Sequence, residues 1–475
     1  MRLFKVNDTN KTGKVLLSGS NFVNEDLTGN TSHSLSGNVQ VSSRVVRSPN
    51  KTNRKMIFLI IFLLIPLGVL GFFLNRKYSG MTPKPLPEVK PPVLHETVPV
   101  ITNATSAHNA LGFNLLKVLS EEDQNVVISP LSISLAFSMV YNGADGETKN
   151  QMAEVMFVDN INGNELNREN FQLMRSLKDK DPKVEISIAN SIWARKEINF
   201  NQSFLDLNNS YYQAETSTLD FSSPLAADTI NNWVSASTKE KITSIVDSPI
   251  DPLTVMFLIN AVYFKGTWTF EFDKSKTEEK DFYVGSLETV RADFMKQERD
   301  NFLYLENNDF QAVNIPYGES EKLSMYVFLP KTDPAFFSAN LSSDNWDEWT
   351  ESFDKKEGTI ELPKFKVEYE TSLVSPFKYL GMTKAFSPME ADFSGIRNER
   401  DIYISDAKHK TFIEVNEEGT EAAAVTSIEM AITAILPGEE GPFYMVVDKP
   451  FFFAISDSDS GQILFSGFIR NPSQD

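Results

Sequence analysis

EVNEEGTEAAAVTSIEMAITAILPGEEGPFYMVVD, residues 414–448, is the stretch whose pattern decides how this chain of 475 residues is read. Gly419 follows a strand-like FIEV and two carboxylates, Glu417 and Glu418, and is a natural hinge. Every second residue from there is uncharged: Thr420, Ala422, Ala424, Thr426, Ile428, Met430 and Ile432. The set grows more apolar along the chain. The intervening set, Glu421, Ala423, Val425, Ser427, Glu429, Ala431 and Thr433, holds both carboxylates. A period of two with charge on one side marks a half-buried strand. The small residues beside the hinge suit a segment that slides between existing strands. Glu-Ala-Ala-Ala is also a good helix-forming string, so on these residues alone a helix remains open.

Around this stretch the composition is globular from residue 104 to the end. Ser129-Pro130 precedes an apolar run with Leu131, Ile133, Leu135, Phe137, Met139 and Val140 that stops at Gly143. An N-cap, a proline at the first helical position and a glycine stop predict a buried helix. Val184, Ile186, Ile188 and Ile192 alternate with Glu185, Ser187, Ala189 and Ser191, which is strand period. Val255–Phe264 is almost continuously apolar and predicts a strand covered on both faces. Further strands are predicted at 323–329, 359–369 and 443–456. Helices come first and strands dominate later, so the class is α+β in one domain, 104–475, without internal repeats.

The residues before it differ in kind. The chain has 45 basic and 64 acidic residues, a net charge of −19. Residues 1–55 hold nine Lys/Arg and three acids, a net of +6, which leaves −25 for the rest. So acidic a domain argues against nucleic acid as a partner. Residues 56–74, MIFLIIFLLIPLGVLGFFL, carry no charge and as a helix cover about 28 Å, close to the roughly 30 Å hydrocarbon core. Fifty-five polar residues before it and Asn75-Arg76-Lys77 after it distinguish an uncleaved single-pass anchor from a signal peptide. Five cations upstream (Arg44, Arg47, Lys51, Arg54, Lys55) against four downstream (Arg76, Lys77, Lys84, Lys90) orient residues 1–55 as a disordered cytoplasmic tail. The globular domain then lies outside the membrane. Six prolines between residues 79 and 103 make 75–103 a semi-rigid stalk.

No catalytic constellation is found. Cysteine is absent, which removes disulfides, zinc–thiolate sites and thiol catalysis. The four histidines are His33, His95, His108 and His409, and no HExxH, GxSxG or phosphate-binding glycine motif occurs. His409, flanked by Lys408 and Lys410 and leading into a strand, reads as structural. No cofactor or metal is expected.

Ordered strings throughout 105–475 carry a resemblance. They are NVVISPLS (125–132), INNWVSAST (230–238), LINAVYFKGTW (258–268), LPKF (362–365), LGMTKAF (380–386), ADFSGI (391–396), EVNEEGTEAAA (414–424), DKPFFF (448–453) and FSG (465–467). In these the chain resembles the serpin family. The resemblance implies about nine helices, three β-sheets and an exposed reactive-centre loop. It also implies a monomeric inhibitor that a serine protease attacks as a substrate. The cut loop then inserts into the large sheet and drags the covalently bound protease with it. A rival within the fold is a non-inhibitory binding protein, disfavoured by the small hinge residues Thr420, Ala422 and Ala424.

By resemblance, Glu417, Gly419, Thr420, Glu421, Ala422, Ala423 and Ala424 form the hinge. Ser129, Ser132, Asn260 and His409 form a polar cluster where the sheet opens, and Trp268 sits at the sheet top. The family's spacing from Gly419 puts the scissile bond at Thr433–Ala434. An extra segment of about six residues, Pro437–Pro442, departs from the pattern and leaves Met430, Ala431 and Leu436 as alternatives. No Lys or Arg occurs between Thr420 and Asp448, which favours elastase-, subtilisin- or chymotrypsin-like targets over trypsin-like ones. Glu240 stands where the family usually has glycine, and a local change is expected there.

Overall fold

Ser129 accepts a hydrogen bond from the Ser132 N–H and Pro130 opens the helix, which runs over Pro130–Tyr141 with every residue buried. The same logic starts the first helix, where the Asn103 side chain accepts from the Ser106 N–H. The computed structural model describes residues 101–120, 124–285, 288–420 and 441–474. Among them are nine α-helices: α1 (Ala104–Leu119), α2 (Pro130–Tyr141), α3 (Gly146–Val155), α4 (Gly163–Leu177), α5 (Gln202–Tyr212), α6 (Ala226–Ser237), α7 (Pro334–Ala339), α8 (Ser343–Glu351) and α9 (Val374–Tyr379).

The strands are β1 (Val126–Ile128), β2 (Val184–Arg195), β3 (Glu215–Leu219), β4 (Met256–Thr267), β5 (Glu278–Tyr283), β6 (Thr289–Glu306), β7 (Phe310–Tyr317), β8 (Leu323–Pro330), β9 (Asp354–Pro363), β10 (Phe365–Ser372), β11 (Asp406–Asn416), β12 (Gly419–Thr420), β13 (Phe443–Val446), β14 (Phe451–Asp457) and β15 (Ile463–Ile469). The central sheet has the order β10-β11-β12-β4-β2-β3, with β11 also paired to β4. The other strands run β1-β15-β14-β8-β7-β6-β9-β13, with β5 on β6. The described strands therefore form two hydrogen-bonded networks rather than the three sheets expected. The long β6 is shared: it pairs β5 and β9 along most of its length and β7 at its C-terminal end, with an irregularity between Arg299 and Phe302.

Two predicted strands are each divided. The 359–369 run breaks at Lys364, because Pro363 ends β9 in one network and Phe365 begins β10 in the other. The 443–456 run breaks between Val446 and Phe451, where Pro450 has no N–H to donate. At Glu240 the backbone is left-handed, φ +63°, following Lys239 at +53°. A glycine would adopt that conformation without strain.

Most of the core lies between the two networks and the helices. A second, smaller apolar cluster covers the outer face of the central sheet. In it Ile230 and Val234 of α6, with Ile242, Ile245 and Val246 beyond it, meet Ile259 and Ala261 of β4 and Phe412 of β11. Among the described residues no helix is long and apolar enough to cross a membrane. The expected span 56–74, the tail 1–55 and nearly all of the stalk 75–103 lie outside the described residues.

Candidate functional site

β4 and β11 run side by side and parallel, from the pair Phe257–Asp406 to the pair Tyr263–Phe412. Above that point β12 fills the gap. Gly419 and Thr420 pair antiparallel with Asn416 and Val415 on one side, and with Thr267 and Gly266 on the other. The hinge residues Gly419 and Thr420 already hold a strand position in the sheet. Gly419 has φ +149°, and a Cβ there would lie 2.1 Å from the Gly266 carbonyl oxygen, so only glycine makes this turn.

Aromatic rings hold the turn. The Trp268 indole N–H donates to the Asn416 carbonyl at 2.9 Å, and its backbone N–H donates to the Glu418 carbonyl at 2.9 Å. Trp268 stacks on Tyr317 with centroids 4.2 Å apart. The Tyr317 hydroxyl lies 2.7 Å from Thr420 Oγ1, and Thr420 is fully buried. The acids before the hinge are clamped as well. Thr277 Oγ1 donates to Glu417 at 2.8 Å, Lys364 lies 3.4 Å from the same carboxylate, and Lys274 bonds Glu418. Burial works to raise the Glu417 pKa, but hydrogen bonds from the backbone and Thr277, with the Lys364 charge, hold it below the usual carboxylate value.

One strand-length below, side chains bridge β2, β4, β11 and the start of α2. His409 Nε2 accepts from the Ser129 N–H at 3.2 Å, so its proton sits on Nδ1 and is donated to Asn260 Oδ1 at 2.5 Å. Asn260 Nδ2 donates to Asn190 Oδ1 at 2.6 Å and to the Ser132 hydroxyl. His409 is fully buried and bonded on both ring nitrogens, which makes it a latch between β4 and β11.

At its far end the loop is anchored by β13, which runs parallel to β9. Phe443 stacks flat on Tyr304 at 3.9 Å, and the Tyr444 hydroxyl donates to the buried Glu361 carboxylate at 2.5 Å. Lys280 lies 2.8 Å from Glu361 and neutralises it.

The family model for serpins, described as serine protease inhibitors, matches residues 106–472. The chain belongs to the serpin family. Serpin B6 of Pongo abelii is 37% identical over 376 residues, which is 77% of this chain and 98% of that relative. The leukocyte elastase inhibitor of Homo sapiens is 33% identical, covering 78% of this chain and 99% of that one. Among solved structures, the thermophilic serpin tengpin in its native state is similar at a TM-score of 0.70 and 32% identity, over 77% of this chain and 94% of tengpin.

In this serpin Ser129, Ser132, Asn260 and His409 come together as one cluster, and Trp268 sits at the sheet top against the hinge. Glu417, Gly419 and Thr420 stand at the mouth of the gap. Glu421, Ala422, Ala423 and Ala424 lie outside the described residues, as do Met430, Ala431, Thr433, Ala434 and Leu436. Two members of the site escaped sequence reasoning. Asn190 falls on the apolar side of the β2 alternation, and that polar break was its signal. Tyr317 gave none, being 103 residues from Thr420.

Burial lowers the pKa of His409 to about 3. It also lowers His108 to about 4, against smaller opposing effects of Gln462 and Asn170. The unfolded chain takes up these protons near pH 6.5, so below that pH it binds more protons than the folded domain. Stability therefore falls as pH drops through the window from 6.5 to about 3. Urea unfolding at pH 5.0 is expected to give a free energy about 2–4 kcal/mol below that at pH 7.5. An unchanged value would mean that neither imidazole is buried in neutral form.

Proposed function

We propose that this serpin is a membrane-tethered inhibitor of serine proteases that acts as a suicide substrate. The observation that carries this is the register begun by β12. Continuing its two antiparallel pairings brings Ala422 between Phe264 and Ile413, and Ala424 between Val262 and Thr411. Thr426 then meets Asn260 and His409, Ile428 meets Leu258 and Ala407, and Met430 meets Met256 and Ser405. Directly opposed residues share a face of the sheet. The β4 and β11 partners from Leu258 to Phe264 and Ala407 to Ile413 in this set are all buried. The uncharged half of the loop thus meets the core, polar Thr426 meets the polar latch, and Glu421 and Glu429 turn outward. A loop with no part in insertion has no reason to carry that match.

The mechanism follows from a race. Attack by the protease serine on the scissile carbonyl expels the new amine and leaves an acyl-enzyme. Release of the loop's far end, still held at β13, frees the segment beyond Thr420 to continue the strand. The β4–β11 pairing gives way and the acyl-bound protease is carried along. If insertion outruns deacylation, the protease is trapped; otherwise the serpin is cut as a substrate.

A loop without Lys or Arg and a relative named as an inhibitor of leukocyte elastase support elastase-, subtilisin- or chymotrypsin-like targets. Incubation with elastase or subtilisin is expected to give a detergent-resistant covalent adduct, and incubation with trypsin to give none. Mass spectrometry of the released C-terminal fragment reads the scissile bond, expected at Thr433–Ala434. Cleavage without any adduct would instead support the non-inhibitory reading.

The tether rests on the uncharged run 56–74 and the polar segments around it. Full-length protein is expected to remain with membranes through an alkaline carbonate wash, and a chain beginning at residue 104 to wash off. Protease added outside the cell should remove the serpin domain and leave residues 1–55 protected. Full-length protein that washes off would refute the anchor.

A further inference from the structure

β2 is covered unequally along its two edges. On one side it pairs with β4 from Val184, opposite Gly266, to Ala194, opposite Met256. On the other side β3 begins only at Glu215, opposite Ser191. Among the described residues no strand therefore covers the outward N–H and C=O groups of residues 184–190. An open edge of this kind is a template for another extended chain.

A cavity of about 590 Å³ lies against this edge. Met174, Leu177 and Tyr212 wall it on the face of β2 that carries Ile186 and Ile188. Trp233 and Ser237 wall it on the other face. The volume falls in the range of ligand sites, and the floor is a strand edge. Five residues of β2, Ile186–Asn190, line it, and an extended chain of about five residues spans the same length, roughly 17 Å. Alternate side chains of such a chain would meet the Leu177 wall and the Trp233 wall in turn.

The polar groups differ from end to end. Asn190 is buried and its Oδ1 accepts from Asn260, while its own Nδ2 donates to nothing among the described residues. Exposed Glu215 stands at that same end, since it lies opposite Ser191. Exposed Lys178 stands at the other end, just past α4 and ahead of the turn that enters β2 at Val184. Neither Lys178 nor Glu215 makes an ion pair among the described residues.

We propose that this notch binds a free peptide of about five residues as an added strand. β2 runs from the Lys178 end to the Glu215 end. A peptide with its ammonium on Glu215 and its carboxylate on Lys178 therefore lies antiparallel to β2, the slightly more favourable ladder. Backbone hydrogen bonds to β2 give affinity without regard to sequence, and the apolar walls favour aliphatic side chains. The two charges select a molecule with both termini free. Asn190 Nδ2 supplies one further donor at the ammonium end. The site lies on the far side of β2 from β4 and β11, so it does not depend on the insertion reading.

The test titrates full-length protein with the peptide Leu-Thr-Ile-Thr-Leu, both termini free, by calorimetry. One-to-one binding with a Kd in the micromolar range is expected. Acetylating and amidating the termini should weaken binding at least about fivefold, because both ion pairs are lost. Lys178→Glu should weaken the free acid but leave the C-terminal amide as in the wild type. Glu215→Lys should likewise weaken the free amine and leave the acetylated peptide unchanged. Both residues are exposed, so neither substitution threatens the fold. Absence of binding overturns the proposal. Equal binding of the capped peptide means that the edge takes an internal strand, and overturns the capture of termini. Binding indifferent to both substitutions places the peptide elsewhere and overturns the site.

Discussion

Thr420→Arg is expected to turn the inhibitor into a substrate. In the resting protein Thr420 has no exposed surface and sits between Val415 and Gly266 with its hydroxyl on Tyr317. A guanidinium fits there only by burying an unpaired charge, at a cost of several kcal/mol, or by keeping the hinge out of the sheet. The second outcome is cheaper, so β12 is lost and insertion must begin against that penalty. Each 1.4 kcal/mol added to the insertion barrier slows it tenfold, while deacylation at the distant scissile bond is untouched. Two or three such steps suffice to move the outcome from mostly trapped to mostly hydrolysed. The variant should be cleaved at about the wild-type rate, yet roughly ten or more molecules should be consumed per protease inhibited. Glu429→Arg is the matched control. In the proposed inserted register its position would face outward, opposite Phe257 and Asp406, where a cation would meet a carboxylate. That variant should trap as the wild type does. If the two variants behave alike, the alternation after Gly419 does not report which face meets the core.

That alternation was legible because it is local. A period of two needs only neighbouring residues, and the same holds for the Ser129-Pro130 start of α2 and the apolar run that became β4. The partition of the strands was not legible. Nothing within β6 announces that one strand pairs with β5, β9 and β7 in turn, and the chain around Lys364 and from Val447 to Pro450 stays strand-like while changing partners. The polar cluster shows both limits. His409 and Asn260 meet because two distant strands lie parallel and in register, which only the resemblance could suggest. Asn190 left a trace, a polar residue on an apolar face, that nothing in the sequence connected to Asn260. The clamp of Lys274, Thr277 and Lys364 on Glu417 and Glu418 left none, since each cation is an ordinary surface residue until the fold delivers it.

Cutting the loop should make the domain markedly harder to unfold. A strand placed between β4 and β11 replaces one parallel ladder by two antiparallel ones, whose hydrogen bonds are slightly more favourable per residue. It adds on the order of ten backbone hydrogen bonds at about 1 kcal/mol net each, and burial of Ile428 and Met430 adds roughly 1.5–3 kcal/mol apiece. Fixing the loop backbone offsets part of this. A net gain of even about 5–10 kcal/mol would be comparable with the whole stability of a typical domain. For a domain of this size each kcal/mol moves the midpoint by roughly 1–2 °C, so nicked protein should melt at least about 5 °C above intact protein. The comparison needs a protease that cuts between Glu421 and Leu436 without being trapped, followed by its removal and a thermal scan of both forms. Thr420→Arg nicked in the same way should gain less, because its strand starts with a charge facing the core. Intact and nicked forms that melt together would mean that the loop stores no free energy. The covalent protease would then have nothing to drag it, and the proposed meeting of Thr426 with the His409–Asn260 latch would be without consequence.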